Sequence, residues 1–197
     1  MAEHGQPPSH HLCPDGSRTG SAPTNPTHGG KPWPNTVNPN TTKERIPMPH
    51  RHGRDLRKNR FSEPFRPYLI TTVTRNRHPL FRDLTAGRLL IQTLRAATPH
   101  TQTLAFVVMP DHLHWLMVLG NTQSLERVVG DVKRISSLKI ARWRGQPGGI
   151  WQSGFYDHAL REEEDVRQAA RYVVANPLRA GLTDRLEDYP LWDAEWM

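Results

Sequence analysis

An α+β domain built on an antiparallel sheet is the fold class that this sequence predicts, and three patterns predict it. Runs rich in β-branched and aromatic residues alternate with longer segments whose apolar residues recur at helical spacing. One connection between two such runs is so short that the strands it joins must be antiparallel neighbours. The elements follow in the order strand, helix, strand, strand, helix, strand. That order is typical of a ferredoxin-like sandwich, with helices on one face of the sheet.

The composition divides the 197 residues into a tail and a domain. Residues 1–60 hold 10 of the 18 prolines and 6 of the 11 histidines, with almost no aliphatic side chains. Such a segment cannot bury enough apolar surface to order itself. We therefore expect a disordered, Pro/His-rich and basic tail over 1–60 and a single folded domain over 61–197.

The positive charge is concentrated in the tail. Residues 1–60 carry nine Lys or Arg against four Asp or Glu, whereas residues 61–197 carry 17 against 15. A basic arm ahead of a nearly neutral domain is typical of a segment that contacts phosphates, and a solvated linker is the alternative. The candidate contacts in this arm are Arg54, Arg57 and Lys58.

Cysteine content and hydropathy exclude two classes of protein. Cys13 is the only cysteine, so the chain has neither a disulfide framework nor a thiolate metal site. No stretch of the sequence approaches the length of a membrane span, and residues 1–30 lack the apolar core of a signal peptide. The expected compartment is a reducing cytoplasm.

The first half of the domain predicts three strands and one helix. Residues 68–74 form the first strand, and Asp83 or Thr85 opens a helix that runs to about Ala97. Residues 103–109 form the second strand, Pro110-Asp111 makes a tight break, and residues 112–119 form the third strand.

The second half predicts two more helices and a fourth strand. Ser124 caps a helix over about 124–143, whose exposed face is basic and includes Lys133 and Arg134. A glycine-rich loop follows, then a strand over 150–160 that is interrupted around Gly154. A last helix over 162–176 ends at Asn176-Pro177, because a residue before proline is pushed out of the helical region.

The most informative side chains are His112 and His114. Side chains of a strand alternate between its two faces, so two histidines two residues apart point the same way and can bind one metal ion. The aliphatic residues around them hold the strand rigid and partly dry. The alternative is a pair of half-buried histidines that are hydrogen-bonded to backbone.

The last helix carries a second group of polar side chains. Its apolar residues form one stripe, and Tyr172 and Asn176 lie four residues apart on one ridge at the edge of that stripe. They can project into a cleft beside the sheet. If the histidines line the same cleft, the domain has a nucleophile, two nitrogen ligands and one oxygen ligand. The alternatives are a packing tyrosine and a helix-terminating asparagine.

Three motifs carry a resemblance to a known family. The segment Val108-Met109-Pro110-Asp111-His112-Leu113-His114 resembles the Met-Pro-(Asp/Asn)-His-φ-His core of the single-tyrosine HUH transposases, where φ is apolar. The segments 151–161 and 172–182 resemble one branch, the REP-associated tyrosine transposases. The similarity covers about residues 48–197 and includes the closing Tyr189-Pro190-Leu191-Trp192.

The resemblance implies an activity and the residues that perform it. It implies cleavage and rejoining of single-stranded DNA near palindromic hairpins through a 5′-phosphotyrosine intermediate. His112 and His114 match the metal ligands, Tyr172 matches the nucleophile, and Asn176 occupies the position of a third polar ligand. Tyr156 is the rival nucleophile.

The chemistry of these ligands and the distribution of charge predict the cofactor and the remaining contacts. Two imidazoles and an amide oxygen suit Mn²⁺ on ligand softness, whereas cellular abundance favours Mg²⁺. His158 is a possible additional active-site group, and Arg75, Arg77, Lys133 and Arg134 are candidate DNA contacts. A monomer and a homodimer both remain open.

Two other functions also remain open. One is a non-catalytic protein that binds DNA hairpins and derives from a transposase. The other is a metal-dependent phosphodiesterase that uses water as its nucleophile.

Overall fold

The computed structural model describes residues 62–161 and 166–196. The expected disordered tail, with the candidate contacts Arg54, Arg57 and Lys58, lies outside the described residues. Within the described part of the chain, no helix is long and apolar enough to cross a membrane.

A five-stranded antiparallel sheet forms the centre of the domain. Its strands lie in the order β4-β1-β3-β2-β5. Their bounds are Pro67–Val73 for β1, Thr101–Met109 for β2, His112–Leu119 for β3, Tyr156–Ala159 for β4 and Trp192–Ala194 for β5. The first four strands have the ferredoxin-like arrangement, which confirms the predicted fold class.

Two helices cover one face of the sheet. They are α1, Leu84–Ala96, and α2, Leu125–Arg144, and each begins at the predicted cap. The Asp83 carboxylate accepts from the backbone N–H of Thr85 and Ala86, and the Ser124 hydroxyl accepts from the N–H of Arg127. Their apolar side chains join those of β1, β2 and β3 in the main core, which includes Ile70, Leu90, Phe106, Leu113, Trp115, Val128 and Val132.

Two further helices, α3 and α4, follow β4. The described part of α3 is Val166–Val174, and α4 is Asn176–Arg179. Helix α3 packs against β2 and β3, where it buries Ala169, Ala170, Val173 and Val174. None of these four residues belongs to the core beneath α1 and α2. Helix α3 therefore covers the opposite face of the sheet, the face to which Val107 and Leu116 contribute buried side chains.

The structure departs from the sequence prediction around β4. Instead of one strand over 150–160, an isolated bridge joins Trp151 to Thr74, and β4 begins only at Tyr156. Gly154 between them has φ of 74°, a left-handed conformation that interrupts an extended strand.

The helix that carries Tyr172, called the tyrosine helix below, also ends at a different residue from the one predicted. Helix α3 ends at Val174 rather than at Asn176, and α4 begins at Asn176. Proline is well tolerated in the first turn of a helix, so Pro177 ends one helix and starts the next. Strand β5 and the 3-10 turns at Arg75–Arg77, Leu80–Arg82 and Leu186–Asp188 were not predicted.

Candidate active site

The two histidines lie on the face of the sheet that α3 covers. Residues paired across antiparallel strands share a face, and His114 is paired with Thr71 of β1 and Val107 of β2. His112 is paired with Val73 and Met109 in the next row of the same face. The prediction that both imidazoles point the same way is thus met, and their ring centroids are 4.8 Å apart at an angle of 86°.

A carboxylate orients the first imidazole. The Nδ1 of His112 lies 2.5 Å from Oδ1 of Asp111, and Arg77 Nη1 donates to Oδ2 of the same carboxylate at 3.1 Å. A carboxylate only accepts hydrogen bonds, so the proton of a neutral His112 is held on Nδ1 and the lone pair on Nε2. This is the tautomer that a metal ligand needs.

A hydroxyl contacts the second imidazole. The Nδ1 of His114 lies 2.8 Å from Oγ1 of Thr71, the residue paired with it on β1. Since Nδ1 is engaged in each ring, Nε2 is the nitrogen left for a ligand on both. Within the described residues, no group of three or more His, Cys, Asp or Glu side chains could hold a metal ion.

Burial and neighbouring charges shift the pKa values of His114 and Asp111. His114 is only 5 % exposed, and burial, with the charges of His112 and Arg179, lowers its pKa to about 3 against a weaker opposing effect of Asp111. Burial tends to raise the pKa of Asp111, but the hydrogen bonds and charges of His112 and Arg77 together hold it below its usual value. The structure therefore favours a neutral His114 beside an ionised carboxylate.

Both candidate nucleophiles lie on the histidine face. Tyr156 is paired with Thr71 across β4 and β1, two strands from His114, and is 57 % exposed. Tyr172 is half-buried on α3, the helix that crosses β2 and β3 on this face. His158 lies on the same face as well, one row further along β4, because it is paired with Leu69.

Arg179 is a site residue that the sequence prediction missed. Its guanidinium carbon lies 4.3 Å from the centre of the Tyr172 ring, and its charge contributes to the lowered pKa of His114. One cation thus contacts the tyrosine and is near enough to His114 to affect its pKa. Asp111 and Thr71 were missed too, and only Asp111 adjoins a histidine in sequence.

Asn176 is the first residue of α4 and follows the end of the tyrosine helix, Val174, by two residues. Its Nδ2 donates to the backbone carbonyl oxygens of Tyr172 and Val173, at 2.9 and 3.0 Å. The amide nitrogen therefore caps α3 in the described structure. The carboxamide oxygen is the atom by which this residue could bind a metal ion.

The four described candidate DNA contacts differ in their surroundings. The ammonium of Lys133 donates to the backbone oxygens of Gln152 and Gly154, so it fastens α2 to the segment before β4. Arg134 pairs with Asp131 at 3.2 Å. Arg77 is engaged with Asp111, whereas Arg75 is exposed and forms no salt bridge within the described part of the chain.

A family model for IS200-like transposases matches residues 67–176 of the chain. That range begins with β1 and ends at Asn176, so it contains the histidines and both tyrosines.

Proteins with similar sequences include two named as REP-associated tyrosine transposases. The chain is 28 % identical to one from Haemophilus influenzae over 104 residues, which are 45 % of this chain and 56 % of that protein. It is 29 % identical to one from Escherichia coli over 88 residues, 44 % of this chain and 50 % of that protein. The chain thus spans about half the length of these curated relatives.

One solved structure has a similar fold. It is a REP-associated tyrosine transposase bound to a REP hairpin, with a TM-score of 0.54 and 24 % identity. The similarity covers 68 % of this chain and 79 % of that one. At 24 % identity, this similarity shows a shared fold and nothing more.

The burial of His114 leads to a testable prediction. At pH 5 an imidazole with the usual pKa of about 6.5 is mostly protonated. We expect His114 to stay neutral at pH 5 in the metal-free folded protein, because its pKa is lowered to about 3. Stability should fall as the pH drops from 6.5 towards 3, because the unfolded chain binds this proton more readily. Nitrogen-15 NMR of the imidazoles measures the protonation, and a His114 signal that titrates near pH 6.5 would contradict the prediction.

Proposed function

The chain belongs to the IS200-like transposase family, and from that membership and the site geometry we propose that it cleaves and rejoins single-stranded DNA beside palindromic hairpins. The observation that carries this proposal is the convergence on one face of the sheet of two oriented imidazoles, a tyrosine and an arginine. A solved relative is bound to a REP hairpin, which supports a hairpin as the partner here as well. Such a substrate requires a compartment that contains DNA, in keeping with the expected cytoplasm.

The donor set fits a divalent metal ion. His112 and His114 would bind it through Nε2, since Nδ1 of each ring is engaged, and the Asn176 carboxamide oxygen is the proposed third ligand. When bound, Mn²⁺ or Mg²⁺ would offset negative charge on a non-bridging phosphate oxygen. Asp111 and Thr71 hold the two imidazoles in orientation, as outer partners of metal-binding histidines generally do.

Tyr172 is the proposed nucleophile. Its hydroxyl oxygen attacks the phosphorus of the scissile phosphodiester, and the bond from phosphorus to the 3′ oxygen breaks. The phenol loses its proton and the departing 3′ oxygen gains one, so the products are a 3′-hydroxyl and a 5′-phosphotyrosine. Attack of a 3′-hydroxyl on that phosphotyrosine rejoins the DNA. No nucleoside triphosphate is required, because the covalent intermediate keeps one phosphoester bond for each one broken.

Arg179 favours Tyr172 over Tyr156 as the nucleophile. A guanidinium 4.3 Å from the ring centre stabilises the developing phenolate and can also bind a phosphate oxygen. Tyr156 lies on an exposed edge of the histidine face, where a packing or DNA-contacting role suits it better.

Two other functions predict different products. A protein that only binds hairpins would form no covalent adduct. A hydrolytic phosphodiesterase would cleave DNA without retaining it on a tyrosine, and its activity would survive loss of Tyr172. The pairing of Tyr172 with Arg179 supports transesterification, because hydrolysis by water would not need a tyrosine beside a cation.

The nucleophile can be identified by covalent trapping. We expect wild type with Mn²⁺ or Mg²⁺ to form a denaturation-resistant adduct with a single-stranded hairpin oligonucleotide. Labels at the 5′ and at the 3′ end identify the retained fragment, which should be the one that carries the 5′-phosphate. Tyr172→Phe should lower adduct formation by at least about a thousandfold, because it removes the attacking oxygen.

Tyr156→Phe is the matched control and should still form the adduct. An adduct that survives Tyr172→Phe and disappears in Tyr156→Phe would move the nucleophile to β4. Cleavage without an adduct in wild type would favour the hydrolytic function, and tight binding without cleavage would favour the binding protein.

We expect Thr71 and Asp111, which contact the two imidazoles, to strengthen metal binding. Thr71→Val and Asp111→Asn should each weaken Mn²⁺ binding by about 10- to 100-fold, because the imidazole loses the group that orients it. Thr71→Ser keeps the hydroxyl and is the control. Calorimetric titration of metal-free protein measures the affinity, and equal affinities for Thr71→Val and Thr71→Ser would speak against this role of the hydroxyl.

Arg179 should act on the rate rather than on hairpin binding. Arg179→Gln should slow adduct formation by about 10²- to 10³-fold, a typical loss for one electrostatic group at a transition state. Arg171→Gln, an exposed substitution on α3, is the control. An unchanged rate of adduct formation in Arg179→Gln would exclude the role.

A further inference from the structure

A cavity whose lining includes neither of the two histidines lies at one end of the domain core. It has a volume of about 520 Å³ and lies between the turn after β1, the C-terminal end of α2 and the loop that follows α2. Its lining includes residues 74–80, Ile140, Ala141, Arg144 and residues 146–150. A volume of this size is in the range of small-molecule sites.

The lining of this cavity is cationic. Arg75, Arg77 and Arg144 belong to it, and no Asp or Glu does. Arg77 is engaged with Asp111, but Arg75 and Arg144 are exposed and form no salt bridge within the residues that the structure describes. Two uncompensated guanidinium groups at one opening favour an anion, and the planar fork of arginine suits the oxygens of a phosphate.

Part of the remaining lining is apolar, beside the polar side chains of Asn76, His78 and Gln146. Pro79 and Pro147 contribute exposed ring faces, and Ile150 contributes a half-buried aliphatic side chain. A free inorganic anion would leave these surfaces without a partner. A ligand that combines a phosphate with a flat ring would use both parts, and a nucleotide has that composition.

The turn after β1 has an unusual backbone that its hydrogen bonds hold in place. Asn76 and Arg77 have φ of 54° and 52°, a left-handed conformation that is uncommon for residues with a side chain. The N–H of Arg75 donates to Ile150 O at 2.8 Å, and that of Thr74 donates to Asp111 O at 2.9 Å. Such conformations cluster at ligand sites, where the surrounding structure holds them.

The cavity and the active site share one chain of contacts. Arg77 lines the cavity, its guanidinium pairs with the Asp111 carboxylate at 3.1 Å, and that carboxylate contacts Nδ1 of His112. A nucleotide held in the cavity would therefore lie two side chains away from a proposed metal ligand.

We propose that this cavity binds one unpaired nucleotide of the DNA strand that the enzyme cleaves. The phosphate contacts Arg75 and Arg144, and the base lies against Pro79, Pro147 and Ile150. This assignment rests on the proposed function, because it takes the ligand from the same single-stranded substrate. The cavity would fix the position of the strand relative to His112.

The test measures binding alone, without metal, so that it is independent of cleavage. The probe is a fluorescent hairpin oligonucleotide with single-stranded flanks, in which each flanking nucleotide is replaced in turn by an abasic one. In wild type, one abasic position should weaken binding by about 5- to 100-fold, the usual value for a base that packs against a protein surface. Arg144→Gln and Arg75→Gln should weaken binding of the intact probe.

The salt dependence and a matched control identify the contact. Each of the two variants should lower the slope of log affinity against log salt by about 0.7, the value for one phosphate contact on a single strand. The effect of the sensitive abasic position should shrink in both variants. Arg142→Gln removes the same charge from the same last turn of α2 but lies outside the cavity, and it should leave that effect unchanged.

Three results would overturn the proposal. They are the absence of any sensitive flanking position, equal behaviour of Arg144→Gln and Arg142→Gln, and a salt slope that both cavity variants leave unchanged. The covalent assay reports separately on the proposed function. A sensitive position that depends on Arg75 and Arg144, in a protein that forms no tyrosine adduct, would support the cavity and reject transesterification.

Discussion

The pairing of β3 between β1 and β2 is the constraint on which the rest of the structure depends. Because side chains alternate along a strand, this register sends Leu113 and Trp115 to the core beneath α1 and α2, and sends His112 and His114 to the opposite face. A slip of one residue would turn both imidazoles into the main core and move Trp115 to the face that α3 covers. Burial of Trp115, which is fully inaccessible, therefore fixes the orientation of the histidines. The stability of the fold and the geometry of the site follow from the same pairing.

The second face is built for chemistry rather than for packing alone. Helix α3 contributes small and β-branched side chains such as Ala169 and Val173, so it can approach the sheet closely beside His114. That approach dries the imidazole, which keeps it neutral and able to act as a ligand. Arg179, just beyond the tyrosine helix, is exposed, so its cation keeps its hydration while it contacts the ring of Tyr172. The face thus combines a dry nitrogen donor with a solvated cation, an arrangement that suits the proposed attack on a charged phosphodiester.

The sequence predicted the local elements well because their signals are local. Caps at Asp83 and Ser124, the tight break at Pro110-Asp111 and the alternation through His112 and His114 all depend on neighbouring residues. The partners of the histidines depend instead on register. Thr71 meets His114 only because β1 pairs with β3, across 43 positions of sequence. The position of α3 on the histidine face depends likewise on tertiary packing. Lys133 was predicted as a DNA contact from its place on a basic helix face. Its ammonium instead donates to two backbone carbonyl oxygens of its own domain, a contact that depends on tertiary packing.

Asp111 joins the wall of the proposed nucleotide cavity to a proposed metal ligand. One carboxylate oxygen contacts His112 and the other accepts from Arg77, so the carboxylate is shared between the proposed ligand and the cavity wall. Arg77 is more than half exposed, so the pair gains little stability by itself and its geometry is sensitive to a neighbouring anion. A phosphate at Arg75 and Arg144 would compete for the Arg77 guanidinium or hold it in place. A strand that moves the Arg77 guanidinium would also move the carboxylate that contacts His112. Correct placement of the substrate would then complete the metal site, and a misplaced strand would leave it less well ordered.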